Sequence, residues 1–554
     1  MPPLLRALAA LLLALLVPPA AVALAGGADL DAFGARFAWY DAAGPALGLV
    51  AAALAAVLAP RGRVGQALLA LGLLQAAVVA WVLWVGEIDT EALSVSRTER
   101  PGGIALALVG LGVAIGAARG RLAAARLPAA LGVVGGAALL LVVDVLDRQA
   151  MAAALPGGRP AVAARAAADD PPDAPAPVRP DVVLVLVDTL RADALGIYGA
   201  EPSPTPFLDA FLAEGRVYDH AIAQAPWTFP SMASLFTSRL PSALDPTRRG
   251  AAMDKDEGMP RLAPAAPRLA EHLRATGYHT AGFQKNPYLA PGSGFERGFD
   301  VYEMVGGDTA EDHAGAQTTN AALRWARVAA DARREGRLGP YFLFVHYMDP
   351  HIDYRPPRRF RQEDTRAYEG FVDGSQDAID RVRKTEGGPR PEDLAQLRRL
   401  YRDEVRYLDA QVRRLVEGLR ERGLWTADRD VLVFTADHGE QFHEHGRFKH
   451  QHVWIENVHV PLAIRAPELP PGRDARVVRL LDVAPTVVDL ADVPPLPGAQ
   501  GASLLAAGPR PPAVTEFGGM QRLTAPGWSV IRERSGKLRV FDRGADPGEQ
   551  RDLG

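Results

Sequence analysis

Seven of the chain's 12 histidines crowd into two short segments that also carry acidic residues. HYMDPHIDY holds His346, Asp349 and His351, and TADHGEQFHEHGRFKHQH holds Asp437, His438, His443, His445, Lys449, His450 and His452. Two further segments carry single candidates: Asp188 closes an apolar run in VDTLRAD, and Thr228 precedes Pro230 in APWTFPSMASLFTS. Taken alone, Asp188 reads as a helix cap or an ion-pair partner, and Asp437-His438-Gly439 as a strand-to-turn junction. Taken together, the Asp188 and Asp437 carboxylates, the His438 imidazole and the Thr228 hydroxyl form an oxygen-rich donor set suited to one divalent metal ion, Mn, Ca, Mg or Zn. A free hydroxyl is a poor nucleophile, and metal coordination is one of the few ways to activate Thr228 without an adjacent base. His351, His450, Lys449 and Lys285 would then place positive or hydrogen-bonding groups around the oxygens of a tetrahedral anion. Thr228, His351, His450 and Lys285 are therefore the expected catalytic residues, with Lys449 and His346 in substrate binding. His443, His445 and His452 read as turn or supporting residues, and Asp193 and Glu440 as caps or supports.

Such groups work only if the chain brings them together. DVVLVLVDTL, beginning at Asp181, is a β-branched run too short to cross a membrane, and it reads as a fully buried parallel strand. Similar runs recur at Tyr341–Val345 and Val431–Thr435, each followed closely by Asp and His. Between the last two runs, Leu394, Leu397, Tyr401, Val405, Leu408, Val412, Leu415 and Leu419 recur at spacings of three and four, which predicts an amphipathic helix. Strands alternating with helices argue for an α/β fold with a largely parallel sheet, whose ligands bind beyond the carboxyl ends of the strands. That is where Asp188 and Asp437 would converge. After about Pro467 the chain is rich in Pro and Gly with shorter strand-like runs, such as Trp528–Arg532 and Leu538–Phe541, and reads as a small appended subdomain.

A chain of 554 residues is too long for one hydrophobic core, and its apolar residues are unevenly spread. Five nearly charge-free stretches occupy the first 145 residues: Leu4–Leu24, Ala46–Leu58, Val64–Val85, Ile104–Ala117 and Pro128–Val143. Read as about five transmembrane helices, they leave Arg6, the pair Arg61 and Arg63, and the group Arg119, Arg121 and Arg126 on one side, with Asp29, Asp31, Asp41, Glu87, Asp89, Glu91 and Glu99 on the other, which also holds Arg36, Arg97 and Arg100. Basic loops stay cytoplasmic, so the amino terminus is expected inside and everything after Val143 outside. The expected organisation is a membrane domain at 1–150, a Pro/Ala-rich linker at 151–180, a catalytic domain at 181–467 and a C-terminal subdomain at 468–554. The chain has no cysteine, which excludes thiolate metal sites and a cysteine nucleophile. A net charge of −4 without a basic stripe argues against a nucleic-acid partner.

The motifs DVVLVLVDTLRADALGIYG, WTFPSMASLFTS, GYHTAGFQKNPYL, FLFVHYMDPHIDYRPP and VFTADHGEQFHEHG, in this order, resemble the sulfatase family of the alkaline phosphatase superfamily. LLDVAPTVVDLADV and VFDRGADPGEQRDL resemble its carboxyl-terminal features, so the likeness covers essentially all of residues 181–554. It implies an alkaline-phosphatase/sulfatase-like α/β fold with a small C-terminal subdomain. It places Asp188, Asp437 and His438 among the metal ligands and Thr228 at the nucleophile position. Lys285 and His351 fall where family members contact the sulfate or phosphate group, and a position held by Lys or His falls at His450, with Lys449 beside it. The departures are informative. Sulfatases carry Cys or Ser in a C/S-x-P-x-R motif and oxidise it to formylglycine, whereas this chain has Thr228, and Met232 in place of the Arg. A second acidic residue usual after the first ligand is Thr189 here.

Together these readings predict a membrane-anchored, metal-dependent ester hydrolase or phosphotransferase acting outside the cytoplasm on an anionic ester, glycan- or lipid-linked, through a covalent Thr228 intermediate. The rival readings are a sulfuric ester hydrolase and an inactive, membrane-tethered domain that only binds anions.

Overall fold

The computed structural model describes residues 179–244, 259–306 and 313–554. The five apolar stretches and nearly all of the linker lie outside the described residues. Among those described, no helix is long and apolar enough to cross a membrane.

The strands run β1 (Val182–Val187), β2 (Arg216–Ile222), β3 (His279–Gln284), β4 (Val301–Met304), β5 (Tyr341–Tyr347), β6 (Val431–Ala436), β7 (Gln441–Phe442), β8 (Phe448–Lys449), β9 (His459–Val460), β10 (Leu462–Arg465) and β11 (Gly472–Arg479). All but β7 and β8 join one sheet in the order β11-β2-β10-β6-β1-β5-β3-β4, with β9 added on β2. β10 pairs antiparallel with both β2 and β6, and β9 pairs antiparallel with β2, while the other pairs are parallel. The sheet is therefore mixed, with β9 and β10 running against the rest. The three apolar runs expected as strands form β1, β5 and β6 at its centre, and every one of their residues is buried. Because successive side chains point to opposite faces, burial of every residue means that both faces are covered.

The main helices are α1 (Pro206–Ala213), α2 (Thr228–Thr237), α3 (Leu269–Ala275), α4 (Ala314–Arg334), α5 (Gln376–Arg383), α6 (Pro391–Glu421) and α7 (Val483–Leu490). α6 is the helix expected from the periodic leucines. It starts with Pro391 at its first position, where the missing N–H costs nothing, and it buries Leu397, Tyr401, Val405, Leu408, Val412, Leu415 and Leu419. α4 packs on β3 and β5 and against α6, and α2 contacts α3 and α7.

Beyond the main sheet, β12 (Ala513–Phe517), β13 (Met520–Ala525), β14 (Trp528–Arg532) and β15 (Leu538–Asp542) form a four-stranded antiparallel meander. β11 pairs with β2 in the main sheet, α7 packs on α2, and the separate sheet begins only at Ala513. β11 escapes a sequence reading because only Val477, Val478 and Arg479 at its end are buried, and its first half is polar and exposed.

Candidate active site

Sheet register builds the centre of the site. β1 and β6 are adjacent and parallel with Val187 opposite Ala436, so the next residues, Asp188 and Asp437, leave the sheet side by side. The Asp437 N–H still donates to Val187 O (3.2 Å) and the Asp188 N–H to Tyr347 O (2.9 Å), which holds both residues to the ends of the ladder. Thr189 then turns sharply with φ of 54°, and its N–H donates to Asp437 Oδ1 (3.3 Å). His438 N–H donates to the same oxygen (2.8 Å), and His438 Nδ1 bonds Gly439 O (3.0 Å), leaving Nε2 to face the carboxylates. Glycine is required at 439 because an added Cβ would sit 2.0 Å from Glu456 O.

His438 Nε2 lies 3.6 Å from Asp188 Oδ1 and 3.5 Å from Asp437 Oδ2, and the three ligand atoms all lie within 4.8 Å of one another. These three residues are fully buried, and Asp188 Oδ1, Asp437 Oδ2 and His438 Nε2 have no hydrogen-bond partner. Buried polar atoms are rarely left so, and three of them aimed at one point fit a cation. Burial, and then the charge of Asp188, push the Asp437 carboxyl well above its ordinary range. Burial would raise Asp188 too, but His351, His438, His346 and His450 together hold it below. Burial pulls His438 down to about 3, so its imidazole is neutral and its lone pair open for coordination. The donors fit a hard or borderline divalent ion.

Thr228 is the first residue of α2 and is only 3 % exposed. In the same helical turn Ser231 Oγ donates to Asp437 O (2.6 Å), which ties the helix start to the end of β6. Asn286, just past β3, joins the two halves of the site. Its Nδ2 donates to Asp188 Oδ2 (2.5 Å) and to Thr228 Oγ1 (3.3 Å), and its Oδ1 is held by Tyr288 N–H (2.8 Å). Among the described residues no imidazole or carboxylate is hydrogen-bonded to Thr228 Oγ1. Asn286 was not among the residues expected from the sequence. An Asn before Pro reads as a turn, and the helpful sign was its place one residue after Lys285 at a strand end.

The expected anion-binding groups surround this centre unequally. His450 Nδ1 lies 3.2 Å from Glu440 Oε1, and Glu440 Oε2 accepts from Tyr354 Oη (2.9 Å). Burial opposes charge on His450, yet Glu440 raises its pKa above the usual histidine value, while the imidazole lowers that of Glu440. The His450 ring stands 4.5 Å from that of His438 and 5.4 Å from that of His351. His351 Nδ1 bonds Ile352 O (2.8 Å). His346 is fully buried, with Nε2 3.9 Å from Asp188 Oδ2, and burial brings it down to about 4, so it is a neutral neighbour of that carboxylate. Lys285 Nζ donates to Gln317 Oε1 (3.1 Å), and Lys449 Nζ donates to Gln376 Oε1 (2.5 Å) at the start of α5. Of the remaining candidates, His443 packs on Phe448, His445 and His452 both stack on Trp454, and Asp193 pairs with Arg191 (2.6 Å).

A mixed sheet carrying two buried carboxylates and an imidazole at its strand ends has the form of an α/β enzyme built around a divalent cation. The sulfatase family model matches residues 180–493, more than half of the chain, and the chain belongs to the sulfatase family of ester hydrolases, within the alkaline phosphatase superfamily. Among curated relatives, Iduronate 2-sulfatase of Homo sapiens is 25% identical over 52% of this chain and 60% of its own length. Choline-sulfatase of Rhizobium meliloti (strain 1021) is 25% identical over 57% of this chain and 68% of its own length. Arylsulfatase K of Gallus gallus is 29% identical, and the match spans only 34% of its own length, so the first and third of these relatives are each matched over less than two thirds. In fold, a 2-O GAG sulfatase superimposes with a TM-score of 0.53 at 17% identity, covering 68% of this chain and 88% of that one. The phosphonate monoester hydrolase of Agrobacterium radiobacter does so with a TM-score of 0.53 at 19% identity, covering 68% and 91%.

Proposed function

We propose that this chain cleaves or transfers a phosphoryl-type group through a covalent adduct on Thr228, acting as a membrane-anchored enzyme outside the cytoplasm. The observation that carries the reading is the placement of Thr228 Oγ1, which is bridged to Asp188 by Asn286 and has no base bonded to it. Asp188, Asp437 and His438 would hold a divalent cation, which when bound favours the alkoxide form of a hydroxyl and offsets charge on the anion. Asn286 orients the Thr228 oxygen, and the buried start of α2 shields it from water. Thr228 Oγ forms the new bond to phosphorus as the bond to the leaving oxygen breaks. His450, whose pKa Glu440 raises, is suited to protonate that oxygen from its other ring nitrogen. His351 and Lys285 are the groups assigned to the non-bridging oxygens. Water or another alcohol then attacks phosphorus and frees Thr228.

A sulfuric ester hydrolase is the second reading. It is favoured by the relatives, since a fold neighbour is described with D-Glucosamine-2-N, 6-O-disulfate as its substrate, and it would make an anionic glycan ester the substrate class. Incubating the full chain with paired sulfate and phosphate esters, followed by peptide mass analysis, separates the two. Phosphate monoesters are expected to leave a phosphate-sized adduct on the Thr228 peptide, and diesters a larger one. Release of sulfate alone, with no phosphorus adduct, would reverse the order of the two readings.

The role of His450 predicts a pH response. Protonation of His450 is needed for leaving-group departure, so that limb of turnover is full below its pKa and falls as pH rises through it. Glu440 raises that pKa. Glu440→Gln should therefore move the alkaline limb of kcat to lower pH, and an unmoved profile would remove His450 from that role.

A further inference from the structure

Five large apolar side chains stand exposed among the described residues, and four of them belong to the C-terminal subdomain: Leu523 (42%), Trp528 (49%), Leu538 (52%) and Leu553 (51%). The pairing of the meander puts Leu523, Trp528 and Leu538 on one face. Val514, Leu523, Val530 and Val540 lie directly opposite one another and make an apolar row across all four strands. Trp528 follows two residues before Val530 on β14, Leu538 two residues before Val540 on β15, and Leu553 N–H bonds Val540 O (2.8 Å). Ala525 sits opposite Trp528 on the same face, and its polar members are Gln521, Arg532, Asp542 and, at the β12 edge, Glu516, which is buried and accepts from Ser242 N–H (2.8 Å). The other face is spoken for. Met520, Ile531 and Phe541 pack on Val453 and Trp454, with Trp227 against the same cluster. The outward face is thus an unpartnered apolar patch on a sheet whose inner face backs the catalytic segments, and contiguous patches of this kind mark interaction sites.

We propose that this outward face docks on the surface of a lipid bilayer. The assignment rests on the membrane-anchored part of the proposed function. The chain before the described residues carries the five apolar stretches, and 38 residues rich in Ala and Pro separate the last of them, ending at Val143, from β1 at Val182. Even at ~3.1 Å per residue a tether of that length reaches no more than about 120 Å, so a bilayer crossed by those stretches is always at hand, whereas a second copy is not. The composition also suits an interface. A half-exposed Trp stands among aliphatic side chains, and Arg532 and Lys537 at the margin are long enough to lay their stems on the patch with their charges in the headgroups. Docking would fix the height of the active site above the lipid.

The absence of cysteine makes the test direct. Leu523→Cys or Trp528→Cys in the full chain gives a single thiol for an environment-sensitive dye, and Glu335→Cys, on an exposed side chain after α4, serves as reference. The proteins are reconstituted in phosphatidylcholine vesicles with and without phosphatidylglycerol, carrying nitroxide-labelled lipid. Dye at position 523 or 528 is expected to shift to the blue and to be quenched by the lipid about twofold or more relative to position 335. Trp528→Asp with Leu538→Asp should abolish the quenching at position 523 while leaving ester turnover in detergent unchanged. Equal exposure of positions 523 and 335 to aqueous iodide, in chains that remain with the vesicles, overturns the docking. Shielding from iodide without lipid quenching means a second copy covers the face, and overturns the bilayer as its occupant. Recovery of the chain free of vesicles overturns both anchoring and docking, whereas loss of ester turnover alone touches only the catalytic reading.

Discussion

Thr228→Ala is expected to lower turnover by on the order of 10⁴-fold or more while Asp188, Asp437 and His438 still bind metal. Thr228 Oγ1 is the hydroxyl that Asn286 links to Asp188, and it is buried at the start of α2, where bulk water does not compete. Removing it deletes the oxygen assigned to the covalent adduct. Thr228→Ser keeps the oxygen but loses the methyl group that restricts χ1, so turnover should fall by about 10–100-fold rather than vanish. The adduct should move accordingly, being present on the wild-type and serine peptides and absent from the alanine peptide. Wild-type turnover in Thr228→Ala would make an activated water the attacking group.

Asp437→Ala and His438→Ala are expected to remove the metal itself. Losing only a partner that supports a ligand typically weakens a metal site by about 10–100-fold, and each of these residues is a proposed ligand in its own right. The two variants should therefore bind the cation more than about 100-fold more weakly, and turnover should drop with it. Metal content by elemental analysis of purified protein, alongside circular dichroism to exclude unfolding, makes the measurement. One equivalent of tightly held divalent ion in either variant would contradict the ligand assignment. His443→Ala is the matched control, since that ring packs on Phe448 away from the three converging atoms, and its metal content should stay at the wild-type level.

Much of this arrangement could be read from the residues in order. β1, β5 and β6 are legible because strands buried on both faces have to be continuously apolar, and α6 because one face of a long helix repeats every three to four residues. Asp188 and Asp437 each directly follow such a run, and His438 follows Asp437, which is what singles out these candidates in the sequence. What escaped was pairing at long range. Tyr354 meets Glu440 across 86 positions, and His450 returns to Glu440 only because the short β7–β8 pair folds that segment back. No local pattern encodes either meeting. β10 is as apolar as its neighbours, and its reversed direction, which it shares with β9, is set before β9 and not by its own composition.

The β1–β6 register described above makes the proposed active centre a gauge of the sheet's own correctness. A slip of one residue between these strands would turn Asp437 to the opposite face from Asp188, so the cation could not be held by a mispaired sheet. An ion bound there would favour the correctly paired state alone, adding stability in proportion to the logarithm of its concentration above the dissociation constant. Metal supply would then select the folded form as well as enable its chemistry.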